Sequence, residues 1–176
     1  SGTTNTLIAK SIENVKVASA TTKSTTVNFT SIDSSVAIAD SGVGAVTFGN
    51  LLKGSTYTST VAKTGALDLG FKANEAATLN VNLNKGTSST IALTNVADAT
   101  VTLGAASALS GITLDATTTK LAINATGAVT GSAVISSGTE KLETLTVTGD
   151  KAITLGDITN DAKLTSVTAS STGGDV

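Results

Sequence analysis

The sequence predicts an all-β protein, and specifically a parallel β-helix (β-solenoid), from the spacing of its aliphatic residues, its composition and its lack of proline. Short runs of alternating apolar and polar residues recur about every ten residues from Thr78 onward. Small polar residues and glycine separate these runs, as is typical of short strands joined by tight turns. An antiparallel β-sandwich has similar spacing, so other features must distinguish the two architectures.

Three features favour the solenoid over the sandwich. Two consecutive strands span about 20 residues, which lies in the range of stacked repeats. The absence of proline leaves every backbone N–H able to bond to a neighbouring coil, and the small residues between strands suit tight corners. Residues 12–17 also match residues 142–147 in the spacing of apolar positions, with an acid second in each. We therefore expect a right-handed parallel β-helix that reuses one coil design.

Composition limits both the core and the chemistry. Of the 176 residues, 40% are hydrophobic and 2% aromatic, while roughly a fifth are Thr, which predicts an aliphatic core with Thr on the strand faces. The chain has no Cys and no His, which removes disulfides, thiolate metal sites and His-based catalysis. All 11 basic residues are Lys and the net charge is −2, so we expect no nucleic-acid binding. No apolar run approaches the roughly 20 residues of a membrane-spanning helix.

We expect residues 1–176 to be a single solenoid segment excised from a larger protein, because the chain starts at Ser1 without methionine or a signal peptide. Residues 1–77 are predicted to be less regular, and residues 78–176 to form regular coils. All the aromatic residues lie in the first part, where we interpret them as a wider core and not as a ligand platform. They are Phe29, Phe48, Tyr57 and Phe71.

Candidate strands in the first part are short and separated by loops rich in Ser, Thr, Lys and Gly. Gly42 and Gly44 lie between two of them, as at a hairpin or a solenoid corner. Residues 72–77 have the composition of a single helical turn. The candidate strands cover residues 12–17, 27–29, 36–40, 45–50 and 67–69.

The regular part predicts a column of inward-facing aliphatic side chains. Each contributes roughly 1.5–3 kcal/mol if fully buried, before the loss of conformational entropy is subtracted. The predicted inward residues are Leu79, Val81, Ile91, Leu93, Val101, Leu103, Ile112, Leu114, Leu121, Ile123, Leu145, Val147, Ile153 and Leu155.

Residues 142–169 show the strand and turn pattern most clearly. Three dipeptides between their apolar pairs have the residue types that tight turns favour. These predicted turns are Gly149 with Asp150, Gly156 with Asp157, and Asn160 with Asp161.

The block EKLETLTVTGDKAITLGDITNDAKLTSVTASSTGG, residues 140–174, resembles the Thr/Ala/Gly-rich central repeats of surface-layer (S-layer) proteins of Gram-negative bacteria exported by type I secretion. Residues 11–30 are similar to a diverged copy. The resemblance implies a secreted, extracellular structural protein whose copies self-associate into a two-dimensional lattice on the cell surface. It also implies calcium-dependent assembly of the parent protein and contacts to lipopolysaccharide through regions outside this segment.

Calcium sites in that family carry Gly-Gly-x-Gly-x-Asp, which this chain echoes only at residues 173–175. We therefore expect no cofactor in this segment unless the nearest carboxylates, Asp150, Asp157 and Asp161, supply some of the six to eight oxygens that Ca²⁺ needs. The alternative is that these acids occupy turns, where Asp bonds its own backbone.

Two other functions remain open at this stage: a repeat region of a secreted adhesin and a β-helical polysaccharide-degrading enzyme. The carboxylate and lysine pairs that the enzyme would need are Asp115 with Lys120 and Asp150 with Lys151. Charged residues are mostly exposed and nothing in the sequence marks a cleft, so we interpret these pairs as solvated surface charges and expect no enzymatic activity.

Thr-x-Thr occurs at residues 56–58, 100–102 and 146–148, which raises the alternative of an ice-binding face. Such a face requires the motif on successive coils in one register. The irregular spacing argues against that register and favours the ordinary preference of Thr for exposed strand positions.

Overall fold

The structure, a computed structural model, describes residues 3–6, 11–18, 20, 23–73, 77–137, 141–159 and 162–173. Within these residues the protein is all-β and forms the parallel β-solenoid that the sequence predicts, not the antiparallel sandwich. Its strands alternate along the chain between two parallel sheets of eight strands each. Each coil therefore contributes one strand to each sheet. No helix long and apolar enough to cross a bilayer occurs in the described part of the chain.

Sheet A contains the odd-numbered strands, which follow one another along the solenoid in sequence order. They are β1 (Thr3–Thr6), β3 (Thr25–Asn28), β5 (Val46–Leu51), β7 (Leu67–Phe71), β9 (Thr90–Thr94), β11 (Gly111–Leu114), β13 (Val129–Ser137) and β15 (Ile153–Thr159).

Sheet B contains the even-numbered strands in the same sequential arrangement. We call the connection from a sheet B strand to the next sheet A strand the B-to-A corner, and the reverse connection the A-to-B corner. The strands of sheet B are β2 (Asn14–Val17), β4 (Ala37–Asp40), β6 (Thr56–Ser59), β8 (Ala77–Leu83), β10 (Val96–Leu103), β12 (Lys120–Ala125), β14 (Thr144–Gly149) and β16 (Ser166–Ser171).

The coils differ in length, yet their strands stay in register. Ala37 pairs with Thr56, 19 residues further along, whereas Lys120 pairs with Thr144, 24 residues further along. The corners and a few register shifts within the ladders absorb the difference. Asn50, at the register shift near the end of β5, and Asn95, in the A-to-B corner after β9, adopt positive φ angles of 60° and 56°, a conformation that Asn tolerates better than most residues with a side chain.

The core is the aliphatic column that the alternation predicts. Thirteen of the fourteen predicted inward residues are buried, and Leu155 is partly buried against the same core. The four aromatic residues are buried as well, which confirms the interpretation as core and excludes a ligand platform. The ring centroids of Phe29 and Phe48, on successive coils, lie 6.2 Å apart, and those of Phe48 and Tyr57, on opposite sheets, lie 5.9 Å apart.

One local prediction is wrong because strand pairing overrides the local sequence signal. Gly156 and Asp157 lie inside β15 and not in a turn; the pairing of β13 with β15 shifts register beside them, so the ladder accommodates them as an irregularity. Of the helical turn expected over residues 72–77, residues 74–76 lie outside the described part, and Ala77 begins β8 with its side chain buried. Gly149 ends β14 and Asp150 follows in a bend, close to the predicted turn.

Residues 12–17 and 142–147, which are similar in sequence, lie in the same sheet and direct their apolar residues to the same face, but the strand pairing does not align them position for position. Both segments enter sheet B with their apolar residues inward, as β2 and β14. Pairing through the intervening strands, however, brings Val15 into line with Val147 and not with Leu145. A slip of two residues preserves the inward face because side chains alternate with a period of two.

Glycine at position 127 is required by the close approach of two corners. A Cβ atom there would lie 2.1 Å from the carbonyl carbon of Ala105, whereas one at Gly49 would meet no atom within 4 Å. We expect Gly127→Ala to lower the free energy of unfolding by about 1–3 kcal/mol, as overpacking does. Gly49→Ala should change it by less than about 0.5 kcal/mol. Urea denaturation measures both, and equal midpoints for the two variants would contradict this packing.

Candidate functional site

The chemically richest cluster of the described residues is buried where two successive B-to-A corners stack. Asp40 ends β4, and Lys63 lies in the corner that follows β6, 23 residues later. Their side chains are 0% and 1% exposed, and Lys63 Nζ lies 2.8 Å from Asp40 Oδ2. The aliphatic core therefore contains an ion pair whose two side chains are removed from water.

Every hydrogen of the Lys63 ammonium group has an acceptor. Nζ donates to Asp40 Oδ2 at 2.8 Å, to the carbonyl oxygen of Gly42 at 2.8 Å and to that of Gly44 at 2.6 Å. An ammonium group has three hydrogens, so none is left unpaired. This complete pairing is the condition under which a buried charge is tolerated.

The Asp40 carboxylate is also fully engaged. Oδ1 accepts the backbone N–H of Gly42 at 2.7 Å, and Oδ2 accepts the Tyr57 hydroxyl at 2.8 Å in addition to Lys63. Burial, followed by the neighbouring Asp40 charge, raises the pKa of the Tyr57 phenol well above its ordinary value of 10.0. Tyr57 therefore remains a hydrogen-bond donor to Asp40 at any pH near neutral.

A column of polar contacts continues from Lys63 along the B-to-A corners. Lys63 forms a parallel bridge with Thr87 one coil further on. The Thr87 hydroxyl donates to the Lys63 carbonyl oxygen at 3.2 Å, and the Thr87 backbone N–H donates to Ser107 Oγ at 3.1 Å. Thr87 and Ser107 are both buried. The Thr87 and Ser107 side chains therefore provide hydrogen-bond partners for backbone N–H and C=O groups in the corners, outside the two sheets.

Asp40, Tyr57 and Lys63 are buried, and the contacts they make join two successive coils of the core. The sequence patterns described above do not predict this cluster. The available signal was that Asp40 and Lys63, of opposite charge, are separated by about one coil length. That signal becomes useful only once the register of the coils is known.

The predicted carboxylate and lysine pairs do not form ion pairs. The Asp115 carboxylate accepts the backbone N–H of Asn95 at 2.6 Å and that of Thr117 at 2.9 Å, so it stabilises an A-to-B corner. Lys120 is exposed at the start of β12. Asp150 and Lys151 are likewise exposed, in the bend after β14.

The calcium candidates are only partly covered by the structure. Asp150 is exposed after β14 and Asp157 is exposed within β15, whereas Asp161 lies outside the described residues. No group of three or more acidic side chains placed to hold a metal ion occurs in the described part of the chain. Calcium binding by Asp150, Asp157 and Asp161 therefore stays a prediction.

The outer face of sheet B carries three rows of outward side chains, each row running across the strands. The strand register aligns the three Thr-x-Thr motifs of β6, β10 and β14, which their irregular spacing in the sequence does not predict. The first row is Thr78, Asp98, Lys120, Thr144 and Ser166. The second row is Asn14, Ala37, Thr56, Asn80, Thr100, Ala122, Thr146 and Thr168. The third row is Lys16, Ala39, Thr58, Asn82, Thr102, Asn124, Thr148 and Ser170.

Hydroxyl and amide groups dominate these rows. Some of them bond to each other along a row, as Thr148 Oγ1 does to Asn124 Oδ1 at 2.6 Å. Most strand positions on this face are only partly exposed, because neighbouring strands crowd them from both sides. The result is a regular polar surface with very few charges.

Comparison with protein families, curated proteins and solved structures finds no match for this chain.

The buried ion pair predicts unequal effects for two Lys→Met substitutions. Lys63→Met leaves the Asp40 carboxylate buried without a counter-charge, so we expect a loss of about 3–5 kcal/mol in the free energy of unfolding. Adding Asp40→Asn to that variant removes the stranded charge and should recover part of the loss. The control, Lys85→Met, alters an exposed side chain and should cost less than about 0.5 kcal/mol. Equal losses for Lys63→Met and Lys85→Met in chemical denaturation would contradict the buried pair.

The buried Tyr57 phenol predicts that the free energy of unfolding falls as the pH rises above 10. Folding raises the pKa of the Tyr57 phenol above its ordinary value of 10.0. Above pH 10 the unfolded chain therefore loses the phenol proton, whereas the folded chain retains it. This contribution to stability is fully present below pH 10, and is lost above it at up to about 1.4 kcal/mol per pH unit. Tyr57→Phe should remove this part of the slope. Tyr57 is the single tyrosine of the chain, so ultraviolet absorbance reports its ionisation directly. Phenolate absorbance from the folded protein near pH 10 would contradict the prediction.

Proposed function

We propose that this chain is a structural segment of a bacterial cell-surface layer, in which neighbouring copies associate laterally into a two-dimensional lattice outside the cell. The observation that carries the proposal is the outer face of sheet B, where in-register rows of hydroxyl and amide groups extend across the solenoid. A repeating polar surface with few charges suits repeated contacts between identical molecules. It allows close approach without the repulsion that a surface of one charge sign would produce.

The architecture supports a mechanical role. Continuous parallel ladders join each coil to the next, so the eight strands of a sheet at about 4.8 Å spacing span roughly 35 Å along the solenoid axis. The buried core residues form one contiguous cluster from Val27 to Ile153. Such a rod keeps its outer rows at fixed positions, which a lattice contact requires.

We infer a non-catalytic role for the same chain. Asp40, Lys63 and Tyr57 satisfy one another inside the core, and Asp115 is committed to corner backbone groups. The remaining nominated groups, Asp150 and Lys151, are exposed on a bend. Each of these placements has a structural explanation that requires no substrate.

The setting of the segment follows from the resemblance to surface-layer repeats and is part of the proposal. The parent protein would be secreted by a type I system and would assemble with calcium. It would contact lipopolysaccharide through regions outside this chain. Within the chain, Asp150 and Asp157 are the described acids that calcium would use, together with Asp161.

The proposal predicts concentration-dependent association of the purified chain and ordered two-dimensional arrays. Electron microscopy with and without calcium tests both the arrays and the contribution of the metal. A chain that stays monomeric but binds glycans or host-cell surfaces would favour the adhesin. Turnover of uronic-acid polymers would instead favour the enzyme.

A further inference from the structure

We propose that two copies of this chain pack face to face through the outer rows of strands β6 to β16 of sheet B. The two-fold axis of this contact runs parallel to the strands, between β10 and β12. The inference rests on the proposed function and specifies one of the contacts that a lattice needs. Its occupant is a second copy of the same chain.

The distribution of charge on the face is the first argument. Among the outward side chains of β6 to β16, only Asp98 and Lys120 are charged, and they are adjacent partners in the first row. They lie on neighbouring strands without forming an ion pair with each other, so each retains its capacity to pair with another charge. A surface with one charge of each sign, side by side, can be complementary to itself.

The two-fold axis pairs the two charges of one copy with the opposite charges of the other copy, which gives two pairs of opposite charge across the contact. Rotation about an axis parallel to the strands keeps each row in place, reverses the order of the strands and turns the face over. An axis midway between β10 and β12 therefore places Asp98 opposite Lys120 of the second copy, and Lys120 opposite its Asp98. This is the reciprocal pairing that an isologous interface requires.

The same rotation matches the polar rows. β8 lies opposite β14 of the second copy, so Asn82 faces a Thr148, and β10 lies opposite β12, so Thr102 faces an Asn124. Each of these facing pairs has a hydrogen-bond donor and an acceptor. β2 and β4 extend beyond β16 of the second copy, which leaves Lys16 outside the contact and without a like charge opposite it.

The size of the contact indicates its strength. Six strands about 4.8 Å apart, with outward side chains about 6.6 Å apart along each strand, cover roughly 500 Å² per copy. A stable heterodimer of ordinary size buries about 800 Å² per partner. The contact is therefore weak between two free molecules and becomes effective when many copies are held together.

Charge-swap variants test the geometry by sedimentation equilibrium. Asp98→Lys alone and Lys120→Asp alone each place two like-charge pairs in the contact, so self-association should weaken about tenfold or more. An equimolar mixture of the two variants restores unlike pairs and should associate as the wild type does. Asp68→Lys makes the same charge change on the outer face of sheet A and should leave association unchanged.

A crosslinking experiment keeps the test valid if a charge variant fails to fold. The chain has no cysteine, so Asn80→Cys and Thr146→Cys each introduce a unique thiol. A short bismaleimide should join an Asn80→Cys copy to a Thr146→Cys copy faster than it joins two Asn80→Cys copies. The two-fold contact places residue 80 opposite residue 146 of the second copy, whereas the two residues 80 lie three strands apart, about 14 Å across the face.

Three outcomes separate this contact from the proposed function. Recovery in the variant mixture, with preferential crosslinking of positions 80 and 146, supports the contact. Wild-type association without that recovery or preference overturns the two-fold contact and leaves lateral association standing. A wild-type chain that remains monomeric at the highest attainable concentration overturns both.

Discussion

Parallel backbone hydrogen bonding between successive coils is the constraint on which the rest of this structure depends. Each strand inside a sheet pairs with the strand one coil before it and the strand one coil after it, and the register of that pairing decides which side chains stack. Apolar residues then stack on apolar residues, as Val81 does on Val101 and Val101 on Ile123. Because differences in coil length are absorbed at the corners and at a few register shifts, the two sheets keep a column of stacked aliphatic side chains and the rows outside it.

The cluster of Asp40, Tyr57 and Lys63 is an exception to this stacking of apolar residues inside the solenoid. Asp40 occupies an inward position of sheet B that Leu83 and Leu103 fill in later coils. Burying an unpaired carboxylate at this position would be energetically unfavourable, but Lys63 and Tyr57 of the next coil both donate hydrogen bonds to it. Lys63 also bonds two carbonyl oxygens of the preceding corner. The cluster therefore ties two successive corners together at a point where the aliphatic column is interrupted.

The same register that organises the core also organises the surface. Outward residues of sheet B fall into straight rows because their inward neighbours must stack, so threonines and asparagines far apart in sequence become neighbours across the face. Charges are mostly left to corners and to sheet ends. A rigid solenoid that presents an ordered polar face is suited to associate with copies of itself, which is the basis of the function we propose.

The sequence by itself determined the all-β solenoid and its inward residues, since a period of two in short, regularly spaced strands is a local property that survives in the tertiary structure. It did not determine register. Val15 aligns with Val147 and not with Leu145, and Gly156 lies within a strand, because pairing over a whole coil decides such positions. For the same reason only the tertiary structure identified the ion pair of Asp40 with Lys63 and the alignment of Thr-x-Thr motifs. Corners of variable length conceal these contacts, since sequence separation no longer indicates which residues stack.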